Sequence, residues 1–524
     1  MDFESELEKY TLGETENGSE KEAKPEYTGA DAVFALLAFV LGYLFICWVV
    51  CVPEGMGLGA VVLAIAFSVI SGLYLRLKGI KLRGCDIALL VGIDILSLSF
   101  FVTANGFIKF LVTVFMIFAF AYWIYCAGGN REEEKMGNML PFDLLKSVLV
   151  LPLVSFGKLF GALKNGIKSS SVGKKIGMIL LGIIIAVIPT TIITALLLNA
   201  DDAFGNLTDS LFSGLFDDLP KNIWYFILGI PAAMYMFGMM YSNAEHRGSE
   251  YMSREKNEKA LTRARIAPVI ITCAAITPII IVYVLFFFSQ TGYFLSAFSG
   301  IRPEGITYAE YARRGFFELC TVSVINLGVI VAACLFTKRE EGKRSRTVRG
   351  YVITLAVFTL ILIAIAVSKM VMYIDAYGLT RLRIYTTWFM VALAVLFVFI
   401  IVRQAAEKFN LFRNFAVVGL AMFALLVFAD VDAIVAGYNV HCYRSGELDT
   451  VDIDMMYDLS DSAVKYVVPL MEDENPKIAA EAKDYVEYKK NEFLDRENRF
   501  ANFNLVTYNA ARAVGVGNSD DRLE

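Results

Sequence analysis

Residues 351–373 read YVITLAVFTLILIAIAVSKMVMY, twenty-three positions with a single charge, Lys369. A helix rises about 1.5 Å per residue, so roughly 20 apolar residues cross a hydrocarbon core about 30 Å thick. The run is unbroken rather than alternating, which marks a membrane span rather than a half-buried strand. Ten more stretches fit the same rule: 30–52, 57–75, 86–103, 106–127, 176–199, 222–241, 266–289, 316–337, 385–402 and 411–429. The fold class expected is all-α, a polytopic transmembrane helix bundle of about eleven spans. Composition agrees: 57% of the 524 residues are hydrophobic and 19% charged, against about half and a quarter in soluble domains.

The connections set the orientation, because Lys and Arg are retained on the cytoplasmic side. Arg76, Lys78, Lys81 and Arg83 follow span two, and Arg131 to Lys175 follow span four. Arg247 to Arg265 follow span six, Lys338 to Arg349 span eight, and Arg403 to Arg413 span ten. These are every second connection. The alternate ones are poorer, with Lys221 alone after span five, Arg302, Arg313 and Arg314 after span seven, and Arg381 and Arg383 after span nine. An eleven-span chain with a cytoplasmic N-terminus and an extracytoplasmic C-terminus accounts for the alternation.

The organisation follows. Residues 1–29 carry eight Glu and no basic n-region, and read as an acidic, disordered cytoplasmic tail. Residues 30–127 hold the first four spans. Residues 128–175 form a cytoplasmic segment, within which 140–163 reads as an interfacial amphipathic helix or a re-entrant segment. Residues 176–431 hold seven spans, and 432–524 a small helical extracytoplasmic region. In that region Asn475-Pro476 is a helix start, with Asn as cap and Pro at the first helical position. Ser460 is a candidate cap, and 500–514 a further helical stretch. Trp48, Trp224 and Trp388 fall near outer interfaces and Trp123 near the inner one, as aromatic anchors do.

Most familiar chemistry is missing. Two His, His246 and His441, cannot build a His-based metal cluster. There is no HExxH, no phosphate-binding Gly-rich loop and no GxSxG. Of eight Cys, six lie in apolar runs and only Cys442 in the external region, so no disulfide framework is expected. No metal, cofactor or nucleic-acid partner is expected. The partners are the bilayer itself and, at the basic loops, anionic lipid. No protein partner is indicated.

Three polar constellations sit at outer ends of spans. One is Asn199, Asp201 and Asp202. The second is Asp375, Tyr377, Thr380, Arg381 and Arg383, with Lys369 just inside. The third is Asp430, Asp432, Tyr438, Asn439 and His441. If these ends adjoin, charge-assisted pairs form at the low-dielectric boundary. Such a cluster is either a structural clasp or a polar pocket for an external ligand or lipid head group. The acidic run Asp449 to Asp461 lacks calcium-loop spacing and reads as a solvated, helix-capping face. Asp94, about eight residues inside span three, is an intramembrane acid that needs a partner or a water path. Ser97 or a polar group on another helix would serve.

These segments resemble the bacterial membrane family known as domain of unknown function 4173, with its relative 4153. The matches are Asn199 to Phe204, Tyr377 to Arg383 (Tyr-Gly-Leu-Thr-x-Leu-Arg), Tyr438-Asn439, Leu448-Asp449 and Leu459 to Ala463. Asn504-Leu505 and Ala511 resemble the C-terminal element. Asp202 stands where the family has Pro, and Pro469 is displaced. The resemblance implies this architecture and no activity. The function expected is a structural, sensing or assembly component of the bacterial cell envelope, in the plasma membrane. A transporter of a small solute or lipid, using Asp94, is one alternative. A membrane-embedded enzyme using Asp201, Asp202, Arg381 and Arg383 is another. No catalytic set is identified.

Overall fold

The computed structural model describes residues 27–52, 55–131, 136–137, 139–169, 219–248, 250–289, 316–339, 344–496 and 500–516, with isolated positions between 182 and 197. Among them helices dominate. There is no strand, only an isolated parallel bridge between Ala267 and Thr337. Ten helices are long and apolar enough to cross a membrane. They are α1 (Gly29–Val50), α2 (Leu58–Leu77), α3 (Gly84–Val102), α4 (Gly106–Ala127) and α5 (Lys221–Ala244). The others are α6 (Val269–Ser289), α7 (Phe316–Phe336), α8 (Arg346–Tyr377), α9 (Arg381–Ala405) and α10 (Leu411–Phe428). The chain is a multi-pass integral membrane protein. The expected span at 176–199 and the acidic tail at 1–26 lie outside the described residues, apart from the isolated positions.

The chain divides into two compact units, Met1–Leu37 with Gly157–Pro220, and Ala38–Phe156 with Lys221–Glu524. In the first, Thr28 and Asp31 cap the start of α1, with the Thr28 hydroxyl donating to Asp31 Oδ2 at 2.8 Å. The Asn165 amide donates to the Tyr27 carbonyl at 3.0 Å.

The second unit holds the rest. The C-terminal ends of α4 and α5 adjoin, since Asn130 Nδ2 donates to the Asn243 carbonyl at 3.0 Å. The two helices therefore run parallel. Lys78 pairs with Glu245, Arg131 with Asp86, Asn410 bonds the Met136 carbonyl and Arg344 bonds Gln404, which sets these basic span ends at one end of this unit, called here the basic end. Helices α6 to α9 bury Phe316, Leu355, Leu362, Met390 and Phe397 against one another. Within that apolar core Tyr283 donates to Asn326 Oδ1 at 2.7 Å, and Asn326 Nδ2 donates to Thr359 at 2.9 Å. Three spans are thus tied by side-chain hydrogen bonds inside the membrane, worth about 0.6 kcal/mol each on average. In the first four spans Phe67 and Phe120 meet edge to face at 5.0 Å.

Two expectations change at the basic end. Trp123 is not an interface anchor. It is fully buried, and its indole N–H donates to the Asp86 carbonyl at 2.8 Å. Asp86 in turn pairs with Arg83 and Arg131. Residues 140–163 are broken at Ser155–Gly157 rather than one continuous helix, a break that the re-entrant alternative allows. Leu140–Val154 packs one face against the protein, with Asp143, Lys146 and Ser147 buried, Tyr125 donating to Asp143 at 2.9 Å and Ser242 donating to the Leu151 carbonyl at 2.6 Å, while Leu145, Leu149 and Leu153 stay exposed. The chain breaks at Ser155–Gly157, and only Lys158–Ser169 is amphipathic. Lys146 and Lys158 made the two halves look alike in sequence, but Lys146 is buried.

Beyond α10 the chain reverses at Asp430 and forms α11 (Val431–Ser445), short turns over 454–472, α12 (Pro476–Asp495) and α13 (Leu505–Ala513). Asn475 caps α12 by accepting from Lys477 N at 3.1 Å. Val464, Val467, Leu470, Ile478, Ala482, Tyr485 and Phe493 form a small apolar core that turns this segment into a folded region.

Candidate functional site

The turn between α8 and α9 is built residue by residue from its sequence. Gly378 has φ +73°, in the left-handed region that a side chain disfavours. A Cβ there would also collide with Asn439 Oδ1. Leu379 is buried, and the Asn439 side-chain amide holds its backbone. Leu379 N donates to Asn439 Oδ1 at 2.7 Å, and Asn439 Nδ2 donates to the Leu379 carbonyl at 2.8 Å. Thr380 caps α9 through its hydroxyl. Arg383 turns back to donate to the carbonyls of Tyr377 and Gly378, closing the end of α8, and stacks on Tyr373 at 3.9 Å. This is the helix C-terminus being satisfied by a cation.

Arg381 points the other way. Its Nε lies 3.4 Å from Asp432 Oδ1. Asp432 is fully buried in the first turn of α11. Its Oδ2 accepts from Asn105 Nδ2 at 2.9 Å and from the Ser460 backbone N–H at 3.0 Å. Asn105 also caps α4, accepting from Ile108 N at 3.0 Å, and donates to Tyr385 Oη at 3.0 Å. One carboxylate thus joins α4, α9, α11 and the 460 turn. Asp430 holds a left-handed conformation at φ +48°. It caps α11 through Ala433 N, and its other oxygen accepts from Ser462 at 2.9 Å.

Two further anchors complete the arrangement. Asp461 is buried and receives Lys489 at 3.1 Å, Thr507 at 2.7 Å and Arg496 at 3.4 Å. It is not part of a solvated acidic face: the turn after Ser460 points it inward, where a buried lysine neutralises it. Burial alone would lower the Lys489 ammonium, but Asp461 and Glu492 outweigh it and the net direction is upward. Asn504 caps α13 through Val506 N and Thr507 N, while its Nδ2 donates to the carbonyls of Phe100 and Thr103 at 2.9 and 2.7 Å. Beside it Leu58 N donates to the Phe503 carbonyl at 2.9 Å. Gly57 permits that approach, since a Cβ there would strike the backbone of Asn502 and Phe503.

The expected residues therefore separate. Thr380, Arg381, Arg383, Asp430, Asp432 and Asn439 converge. Tyr377 is exposed and stacks edge-on with Tyr373 at 5.4 Å. Asp375 and His441 are exposed. Lys369 lies half-buried lower in α8, in the field of Glu318. Asn199, Asp201 and Asp202 lie outside the described residues. Asp94, at mid-span, accepts from Ser68 of α2 at 2.6 Å, while Ser97 bonds only the Asp94 backbone carbonyl. Sequence reasoning missed Asn105 and Lys489, named Asn504 only within the family's C-terminal element, set Asp461 in the acidic run, and took Ser460 as a cap, whereas Ser460 makes no side-chain cap bond and serves Asp432 through its backbone N–H. Asn105 and Asn504 each precede an apolar run in the manner of a helix cap, and that signal was readable.

Chemically, the cluster binds protein to protein. Burial pushes the Tyr438 hydroxyl up to about 12, with the Cys442 thiol adding to the rise. Burial also raises Cys442. Both stay protonated near neutral pH and neither is an activated nucleophile. Among the described residues no group of three or more His, Cys, Asp or Glu is placed to hold a metal ion.

Fold and site together define a polytopic helical membrane protein whose C-terminal region is locked to its spans by polar anchors. The family described as domain of unknown function (DUF4153) matches residues 90–470, and the chain belongs to that family. No curated protein and no solved structure matches the chain.

Proposed function

We propose that this protein is a structural and assembly component of the bacterial cell envelope, seated in the plasma membrane, whose polar cluster is a clasp. The observation that carries the reading is the fate of the polar side chains around Asp432. Arg381, Arg383, Asn439, Asp430 and Asn105 are each engaged in capping a helix, holding backbone or pairing with one another. The basic end is cytoplasmic, on the retention of Lys and Arg there, and the C-terminal region extracytoplasmic. Anionic lipid is the partner of the basic end. The finer resemblance, to domain of unknown function 4173, goes with this reading through the element Tyr377 to Arg383.

Two measurements test it. A cysteine introduced at exposed Glu474 should react with a membrane-impermeant maleimide on intact cells, and one at exposed Glu258 only after permeabilisation. The reverse pattern overturns the orientation. In cells, Asp432→Ala and Asn439→Ala should lower the amount of protein in the membrane, with any phenotype following that amount. Full membrane levels with a lost phenotype would make the cluster a working site instead.

The Ser68–Asp94 bond at mid-span supports a second reading, transport of a small solute or lipid. Substrate flux into proteoliposomes, abolished by Asp94→Asn, would favour it. Absence of flux across a broad panel would remove it.

A further inference from the structure

At the basic end, opposite the clasp, four arginines converge from the ends of four spans. Arg265 precedes α6, Arg339 follows α7, Arg344 precedes α8, and Arg403 lies in the last turn of α9. The arrangement is built. Ala267 N donates to the Phe336 carbonyl at 3.0 Å and Lys338 N to the Ala267 carbonyl at 2.8 Å, which fixes the segments carrying Arg265 and Arg339 side by side. Thr272 and Thr337 add a buried hydroxyl pair at 2.9 Å. On the other side Arg344 donates to Gln404 Oε1 at 2.7 Å, and Gln404 is 5% exposed. Arg403, next to it, donates to the Glu407 backbone carbonyl.

The Arg339 guanidinium lies in the electrostatic field of Arg265, Arg344 and Arg403 together. None of the four makes an ion pair among the described residues. The nearby Glu407 carboxylate is engaged by Arg349. Glu340 and Glu341 lie outside the described residues. Like charges held together repel, and an anion that bridges them removes that repulsion. The site lies at head-group depth, within a few residues of four span ends. Just past Arg265, Ile270 and Ile271 of α6 present exposed apolar side chains, as an acyl chain requires. We propose that Arg265, Arg339, Arg344 and Arg403 form a binding site for the phosphodiester head group of an anionic glycerophospholipid. This rests on the reading of anionic lipid as partner of the basic end and gives it a specific address. It is independent of the clasp.

The test uses full-length protein purified in a non-ionic detergent and titrated with lipid in native mass spectrometry. Phosphatidylglycerol should bind at least fivefold more tightly than phosphatidylcholine. Each guanidinium near a lipid surface is worth about 1 kcal/mol, so Arg339→Gln should weaken phosphatidylglycerol roughly fivefold. Arg339→Gln with Arg344→Gln should weaken it roughly 25-fold by the same measure. Arg254→Gln, on the exposed helix Arg254–Ala264, should change nothing. Arg344 holds Gln404, so a thermal melt accompanies each variant. Arg339, which holds no other side chain among the described residues, carries the test alone if Arg344→Gln unfolds. Equal affinity for the two lipids, or an unchanged affinity in Arg339→Gln, overturns the proposal. Displacement of the lipid by an equal concentration of inorganic phosphate also overturns it, and assigns the arginines to a free anion. A failed clasp would show instead in the Asp432 and Asn439 variants, with lipid selectivity intact.

Discussion

Asn439 holds both backbone groups of Leu379 with one side-chain amide, the carbonyl at 2.8 Å and the N–H at 2.7 Å. A residue on α11 thereby stands in for a strand partner at the turn between two spans. Replacing Asn439 by Ala leaves a buried N–H and a buried C=O unpaired, at about 1–3 kcal/mol each. Asn439→Asp keeps the acceptor for Leu379 N but loses the donor. The expected order of melting temperature in detergent is wild type, then Asn439→Asp, then Asn439→Ala. Gly378→Ala should also destabilise, since extended backbone at positive φ costs a non-Gly residue about 1–3 kcal/mol before the collision with Asn439 is counted. A Gly378→Ala protein that melts with wild type would refute the turn geometry.

The Arg381–Asp432 pair should be strongly asymmetric. Asp432 is fully buried and serves Asn105 and Ser460 as well, whereas the Arg381 side chain is 29% exposed. Removing one member of a buried pair costs about 3–5 kcal/mol, and the solvent beside Arg381 reduces its share. Asp432→Ala should therefore lower stability far more than Arg381→Gln, with positive coupling in the double variant. Equal losses would mean that the pair alone, without Asn105 and Ser460, carries the junction.

Much of the architecture was readable before any coordinates. Hydrocarbon thickness fixes span length, so long apolar runs such as 351–373 became spans with ends shifted by a few residues. The element Tyr377 to Arg383 was readable as a unit through the family resemblance, and Gly378 as a turn residue by its freedom at positive φ. Pairing was not readable. Asp432 and Asn105 are 327 positions apart, and no local pattern says that the end of one span meets the start of another. Burial of charge was equally invisible: Asp461 looks like its exposed neighbours Asp454 and Asp458 until Lys489 is brought against it.

Asn504 predicts a partial release rather than global unfolding. Asn504→Ala removes the bonds to Phe100 and Thr103 and the cap of α13 together. A lost cap costs about 1 kcal/mol, and the two carbonyls lose their donor as well. Limited proteolysis should then cut between 496 and 505 while the spans stay intact. Resistance equal to wild type would show that the Leu58–Phe503 bond suffices.

Stability should fall in alkali through the Asp461 hub. The Lys489 ammonium is raised in the folded state, so its contribution is full below the ordinary lysine value near 10.4 and is lost as pH climbs through the folded value. Tyr485 acts in the same sense. Burial first, then Asp461 and Glu492, raise its hydroxyl, so above about 10 the unfolded chain releases a proton that the folded chain keeps. Melting temperature should be level near neutrality and drop above about pH 10, and Lys489→Met should flatten that drop. A variant with an unchanged alkaline limb would place the sensitive groups elsewhere.

The contact between Asn504 and the turn at Thr103 closes the chain on itself across 401 positions. At a synthesis rate of about 5–20 residues per second, the turn exists for roughly 20–80 s before its partner leaves the ribosome. The first four spans are therefore inserted and left waiting, with the carbonyls of Phe100 and Thr103 lacking their final donor. A message truncated anywhere upstream of codon 504 yields helices that enter the bilayer and never receive their last fastening. A residue made late thereby fastens a turn made early.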